Sequence, residues 1–217
     1  MNPVKTLSYS KYALLQQCGL KFKFIYIDKL KEAESEVLAN GNAIHKDLET
    51  YLRIKGMPFP ECGKSLKEDI EKLKENGAVP EQFWTCDSKF KPTVSNWAPS
   101  TAILGKVDAF YVKDDKLHII DFKTGKVRPN NMEQLELYAV MGFNRFPVEE
   151  IEVELFYVDH GIILKEAFER TGLNLMQLKW EARLKDFSET TEFNPNPSAL
   201  CGWCDFSMKK QGICKVG

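Results

Sequence analysis

Gly105-Lys-Val-Asp-Ala-Phe-Tyr-Val-Lys-Asp-Asp-Lys-Leu-His-Ile-Ile-Asp-Phe-Lys-Thr124 is the stretch around which the chain is organised. Ile103 to Val112 is rich in apolar and β-branched residues, as strands are. Asp114-Asp115 is a polar turn, and Leu117 to Lys123 is the return strand of a β-hairpin. Alternation places Asp121 and Lys123 on one side with Ile119, and His118, Ile120 and Phe122 on the other. Asp108 on the partner strand adds a second carboxylate. Two carboxylates can hold a hard divalent cation such as Mg2+. The cation can polarise a phosphate and lower the pKa of water. A lysine beside it can orient or deprotonate that water, or neutralise charge developing on phosphorus. A surface hairpin with one cross-strand salt bridge is the plainer alternative.

Outward from the hairpin, the pattern is that of one α/β or α+β domain around a mixed sheet. Ser8 or Ser10 can cap a first helix that ends near Cys18-Gly19. An aromatic-rich segment, Phe22 to Ile27, follows, and then a charged surface stretch from Asp28 to Glu36. A helix is predicted from Gly41 to about Lys55, with Ile44, Leu48, Tyr51 and Leu52 on its core face and His45 at the edge of that stripe. Lys64 to Asn76 reads as a charged helix stopped by Gly77. Gln82 to Phe90 reads as a strand. Beyond the hairpin, Gly125 and Pro129 break the chain. Asn131 to Met141 reads as a helix that sets Gln134 and Tyr138 on one face. Ile151 to Val158 and Ile162 to Phe168 are strands. Leu173 to Phe187 is a long amphipathic helix with Leu175, Leu178 and Ala182 on one face.

The 217 residues carry a net charge of -1 and 43% hydrophobic residues. No global basic field argues for nucleic acid, although a groove can be basic on a neutral protein. Lys21 and Lys23, Lys123 to Arg128, and Lys209 to Lys215 are local basic groups. No apolar run is long enough to span a bilayer. The opening residues lack the apolar core of a signal peptide, so a cytoplasmic location is the default. In that setting the six cysteines suggest metal rather than disulfides. Cys201 and Cys204 are three apart and Cys214 follows ten later. Cys18 is the best candidate for a fourth thiolate, while Cys62 and Cys86 have no ligand spacing. Four thiolates suit either zinc or an iron–sulfur cluster.

Together these residues resemble the PD-(D/E)xK nuclease superfamily, in its RecB-like branch. Asp108 in Gly-Lys-Val-Asp resembles that family's first metal carboxylate, and Asp121-Phe122-Lys123 its D/E-x-K motif. His45 in Gly-Asn-Ala-Ile-His matches the branch's upstream metal-binding histidine. Gln134-Leu-Glu-Leu-Tyr138 matches its Q-x-x-x-Y motif, which contacts the nucleic-acid backbone or supports the site. Members with one early and three late cysteines hold a [4Fe-4S] cluster, as Cys18, Cys201, Cys204 and Cys214 would. The step from Cys204 to Cys214 is longer than the shortest spacings in such members. The resemblance runs from Ser8 to Cys214.

The resemblance implies a restriction-endonuclease-like core at about 80–170 within a single nuclease domain, 1–217. Helices at 8–76, and a C-terminal helix and cysteine tail at 172–217, would pack on that core. It implies Mg2+ or Mn2+ held by His45, Asp108, Asp121 and the Phe122 carbonyl, with Lys123 positioning the attacking water and Gln134 and Tyr138 holding the strand. Glu81, after Pro80, is a further candidate ligand, set against the solvated strand end that such a position more often is. The substrate implied is DNA, with a single-stranded end. The implied activity is exonucleolytic, in recombination, repair or replication, beside a helicase or recombination partner. A CRISPR-adaptation nuclease of the same superfamily is the near alternative. A non-catalytic DNA-binding module with a structural metal clip is the alternative from another class.

Overall fold

A computed structural model describes residues 1–33, 35–127 and 132–216. Arg128, Pro129 and Asn131, named above, lie outside the described residues. The chain forms two compact units, Met1–Ser35 with Ala182–Gly217, and Glu36–Glu181. Among the described residues no helix is long and apolar enough to cross a membrane.

The larger unit is a five-stranded mixed sheet, flanked by helices, in the spatial order of the sequence. Its strands are β1 (Val79–Cys86), β2 (Ile103–Lys113), β3 (Lys116–Lys123), β4 (Glu150–Tyr157) and β5 (Ile162–Glu169). All neighbours are antiparallel except β3 and β4. A parallel pair needs a crossover, and here the helix Met132–Arg145 supplies it. The hairpin has the expected form. Asp114 and Asp115 both have positive φ, 50° and 57°, as a two-residue turn matched to strand twist requires.

In chain order the helices are α1 (Tyr9–Gln17), α2 (Gly19–Tyr26), α3 (Glu36–Arg53), α4 (Lys67–Glu75), α5 (Met132–Arg145) and α6 (Leu173–Glu189). One face of the sheet is covered by α3 and α4. Ile44, Leu48, Ile70 and Leu73 pack with Ala109, Ile120, Phe122 and Phe156 there. The other face receives α5. Gly142 lets that helix come close, since a Cβ there would lie 2.8 Å from Leu117 Cδ2 and 2.9 Å from Ile151 Cδ1.

Three sequence expectations shift. Helix α3 starts at Glu36 rather than Gly41. The run Glu36-Val37-Leu38-Ala39 can propagate a helix, and an interior glycine costs only about 1 kcal/mol. Strand β1 begins at Val79 and ends at Cys86, not Phe90. Pro80 is tolerated because β1 is an edge strand, and Phe90, with φ +62°, lies beyond the last residue paired with β2, Cys86. On α6 the expected apolar face is solvent-exposed, with Leu175 at 77% and Leu178 at 63% exposure. Trp180, Leu184 and Phe187 are its buried residues instead.

The close approach of α5 generates a test. Gly142→Val should overpack the Leu117–Ile151 contact and lower stability by about 1–3 kcal/mol, the usual cost of added core methyls. Chemical denaturation measures this. Unchanged stability would mean that α5 is not held at the distance described.

Candidate active site and cysteine cavity

Backbone pairing between β2 and β3 runs from Lys113↔Lys116 to Ala109↔Ile120 and stops there. At the next position the Asp108 carboxylate takes over from the ladder. The Phe122 amide donates to Asp108 Oδ2 at 2.8 Å. His45 Nδ1 on α3 lies 3.2 Å from the same oxygen. Asp108 and Asp121 are 7% and 3% exposed, so two carboxylates lie buried on adjacent strands.

Their surroundings compensate in part. Lys123 forms an ion pair with Asp121 and donates to Gln134 Oε1 at 3.2 Å. Gln134 Nε2 donates in turn to Asp121 Oδ1 at 3.2 Å and to the Tyr138 hydroxyl at 2.8 Å. Tyr138 donates to the Lys106 carbonyl at 2.7 Å. One glutamine on α5 therefore touches both members of the D-x-K pair and the tyrosine one helical turn on. Asp121 Oδ2 meets the Lys123 ammonium only as an ion pair and is buried without a hydrogen-bond partner. Two buried carboxylates that share one ammonium, with an imidazole beside them, fit a site for a divalent cation.

The electrostatics follow from burial. Burial pushes the Asp121 carboxyl up to about 6, and the Asp108 charge adds to this against the opposing pull of Lys123. Burial alone would lower Lys123, but Asp121 and then Asp108 outweigh it, and the net shift is upward. Lys123 therefore remains an ammonium. For His45, burial opposes the charged ring, while Asp108 and Asp121 favour it and prevail. Burial raises Tyr138 well above its ordinary value, with Asp121 and Asp108 contributing, so its hydroxyl stays protonated.

The structure also promotes Glu81. Its carboxylate lies with ligand atoms of His45 and Asp108, all within 4.8 Å of one another. The side chain is 12% exposed and paired with Lys106, unlike the solvated strand end that the sequence suggested. The strand was expected to begin at Gln82, so Glu81 fell outside it. A proline-tolerant edge strand starting at Val79 would have included it. Lys106 was not singled out at all, since it reads as an ordinary exposed strand residue. A second group, His118, Glu152 and Glu154, also comes within 4.8 Å. Lys165 already pairs with both of its carboxylates at 3.2 and 2.7 Å.

The smaller unit gathers the cysteines. Cys18 separates α1 from α2, and Gly19 seats the start of α2 against the tail. A Cβ at Gly19 would lie 3.0 Å from the Asn194 carbonyl. Leu20 N donates to that carbonyl, and Asn196 Nδ2 donates to the Gln17 carbonyl. Phe22 stacks on Phe193 at 5.8 Å, and Phe24 meets Phe206 at 5.2 Å. Cys18, Cys201, Cys204 and Cys214 consequently line one cavity, with Leu20 and Phe24. Ser198 caps the 3-10 turn Ala199–Trp203, and its amide donates to Cys201 Sγ at 3.4 Å. Neither group of close metal-binding atoms among the described residues includes a cysteine, so no three of these sulfurs crowd within 4.8 Å. Cys62 and Cys86 belong to the other unit, where burial raises both thiols, Cys86 to about 12.

A model of the PD-(D/E)XK nuclease superfamily matches residues 6–209. The chain belongs to that superfamily. Its members are nucleases that use divalent metals. No curated protein matches the chain. A solved structure described as "Crystal structure of SSO0001" is similar at 15% identity and a TM-score of 0.49, over 100% of this chain and 89% of that one.

The raised Asp121 pKa sets a pH test. Below its ordinary value of 3.8, the carboxyl is protonated in folded and unfolded chains alike. Between there and about 6 the folded protein holds a proton that the unfolded chain has released. Stability is therefore lost as pH rises through this window, and the loss is complete above it. In chelator-treated protein, Asp121→Asn should melt above the parent at pH 7.5, with the gap closing near pH 4. Melting temperatures that coincide at both pH values would show that the buried carboxylate carries no such cost.

Proposed function

We propose that this nuclease is a RecB-like DNA exonuclease whose site is Asp108, Asp121 and Lys123. One observation carries the reading: the network in which Gln134 bridges Asp121, Lys123 and Tyr138 beside a second buried carboxylate. Two buried carboxylates are costly, and a module that only bound DNA would have no use for them. His45, Asp108, Asp121 and the Phe122 carbonyl would hold Mg2+ or Mn2+. Bound there, the cation would supply charge stabilisation at a phosphodiester and a water of lowered pKa.

The chain's own groups divide the remaining work. Lys123, held as an ammonium, orients water and offsets negative charge at phosphorus rather than accepting a proton. Gln134 fixes the Lys123 and Asp121 side chains relative to each other. Tyr138 is 4% exposed and its hydroxyl is bonded on both sides, which favours support of the site over contact with DNA. A DNA strand with a single-stranded end is the proposed substrate. The proposed setting is recombination or repair in the cytoplasm, alongside a helicase or recombination protein, with residues 1–217 as one nuclease domain.

The cysteine cavity is proposed to hold a [4Fe-4S] cluster. A single zinc ion with thiolates at about 2.3 Å would bring its sulfurs to about 3.8 Å from one another. Four thiolates suit either centre; the family resemblance favours the cluster, and the amide donated to Cys201 Sγ suits a thiolate. Its role is structural, joining the start of α2 to the tail.

Asp121→Asn should abolish Mg2+- or Mn2+-dependent cleavage of end-labelled DNA, and full activity in that variant would sink the proposal. Lys123→Ala should slow single-turnover cleavage by ~10²-fold or more while calorimetry still detects the metal. Collapse of metal affinity with normal chemistry would assign Lys123 the wrong role. Anaerobically purified protein should be brown with about four irons per chain, the content of the cuboidal cluster, and Cys18→Ser should lose both colour and thermal stability. A colourless protein with one zinc would replace the cluster but leave the clip.

A further inference from the structure

About two residues suffice to join antiparallel strands, yet the 16 residues 87–102 separate β1, ending at Cys86, from β2, starting at Ile103. Loops of that length without a helix or strand of their own are usually functional. This one is braced at its base. Thr85 and Thr101 are buried, and Thr93 Oγ1 lies 2.8 Å from the first hydroxyl and 2.7 Å from the second. The Thr93 amide donates to the Thr85 carbonyl at 2.9 Å, and the Thr85 hydroxyl donates to the Thr93 carbonyl at 3.1 Å. Thr101 Oγ1 donates to the Ser95 carbonyl at 2.7 Å. Between these braces the chain turns Val94 and Trp97 outward, 98% and 88% exposed. A single exposed apolar side chain is ordinary. An indole in water on a loop held this closely forfeits a large gain from burial, and does so at a fixed place.

That place is the end of the sheet where Lys123 lies. Strands β2 and β3 pair Ala109 with Ile120, and the same count sets Lys106 level with Lys123 and Ile103 level with Lys126. Asp108 stands on β2 about 17 Å from the start of that strand, at the usual rise per residue. Lys91 in the loop and Lys126 beyond β3 are exposed, and their charge suits a polyanion. We propose that Trp97 is a stacking platform for an unpaired base of the DNA strand under cleavage, with Val94 packed beside it. The proposal rests on the nuclease reading above and adds where the strand is held. Every base has a π-face, so the contact is independent of sequence. The threonine braces fix the platform before DNA arrives, which lowers the cost of ordering it on binding. Two side chains are too little for a contact between copies of the chain, which takes about 800 Å² per partner, whereas one base covers an indole.

The test is single-turnover cleavage of an end-labelled single-stranded oligonucleotide with Mn2+, using the full chain in excess and varying its concentration. Trp97→Ala should raise the half-saturating protein concentration by ~10-fold, as loss of one stacked base does. The effect should fall there rather than on the rate at saturation, and Trp97→Phe should restore most of the affinity. Oligonucleotides with one abasic position, placed at each site in turn, supply the second half of a cycle. With the parent, one position should carry a penalty of similar size, and with Trp97→Ala that penalty should vanish. Parent-like half-saturation in Trp97→Ala overturns the proposal, and so does an abasic penalty equal in parent and variant. A dimer in sedimentation that Trp97→Ala dissociates, with half-saturation by DNA unchanged, would assign the loop tip to a second copy instead. Trp97 is exposed, so its truncation leaves the core untouched. A parent that cleaves the single strand without these differences, or that cleaves only duplex, removes the stacking and leaves the nuclease reading standing. A parent that cleaves neither removes both.

Discussion

Asp108 and Asp121 are buried on adjacent strands of one hairpin, and the local structure answers to that juxtaposition. Like charges in a poorly solvated space raise each other's cost of ionisation. The protein offsets the cost with an ammonium at Lys123, an imidazole at His45 and an amide at Phe122. It does not offset it fully, since the Asp121 carboxyl remains raised. The deficit is of the kind that a hard cation removes. The local geometry is therefore less stable than it could be, and that shortfall is available to metal binding.

Gln134 shows how the fold serves this site. The crossover helix α5 exists because β3 and β4 are parallel. Gly142 allows that helix to lie close to the sheet, and the same helix carries Gln134 and Tyr138 eight and four residues earlier. A glutamine can donate and accept at once. It thus accepts from Lys123 and donates to Asp121, which a residue with only one polarity could not do.

Much of this was legible in the sequence. Alternation along β3 put Asp121 and Lys123 on one side, and the Asp114-Asp115 turn fixed the hairpin register, so that Asp108 had to fall near them. The spacing of Gln134 and Tyr138 is a helix-face signal that survives without tertiary information. What could not be read depends on non-local packing. Leu175 and Leu178 have helical spacing, yet they face solvent, because periodicity finds a stripe without saying which neighbours cover it. Glu81 was named from its place after Pro80, but its backbone hid its surroundings: with φ +50° between two paired positions, it breaks the alternation from which strand faces are inferred. The cavity shared by Cys18, Cys201, Cys204 and Cys214 could be guessed from spacing for three of them. Cys18, named as the fourth candidate, comes from the far end of the chain, and the seating of Gly19 against Asn194 helps to bring it in.

The unit that carries these cysteines is discontinuous in sequence, built from residues 1–35 and 182–217, whereas the sheet-bearing unit is one uninterrupted segment. During synthesis the sheet segment leaves the ribosome whole before the second half of the cysteine unit has been made. Its hairpin and crossover can pair early, since domains fold as units while the chain is produced. The helices α1 and α2 must wait, with Phe22 and Phe24 uncovered, until Phe193 and Phe206 emerge. Assembly order is thus written into the connectivity: the sheet-bearing core comes first, and the cysteine cavity closes last.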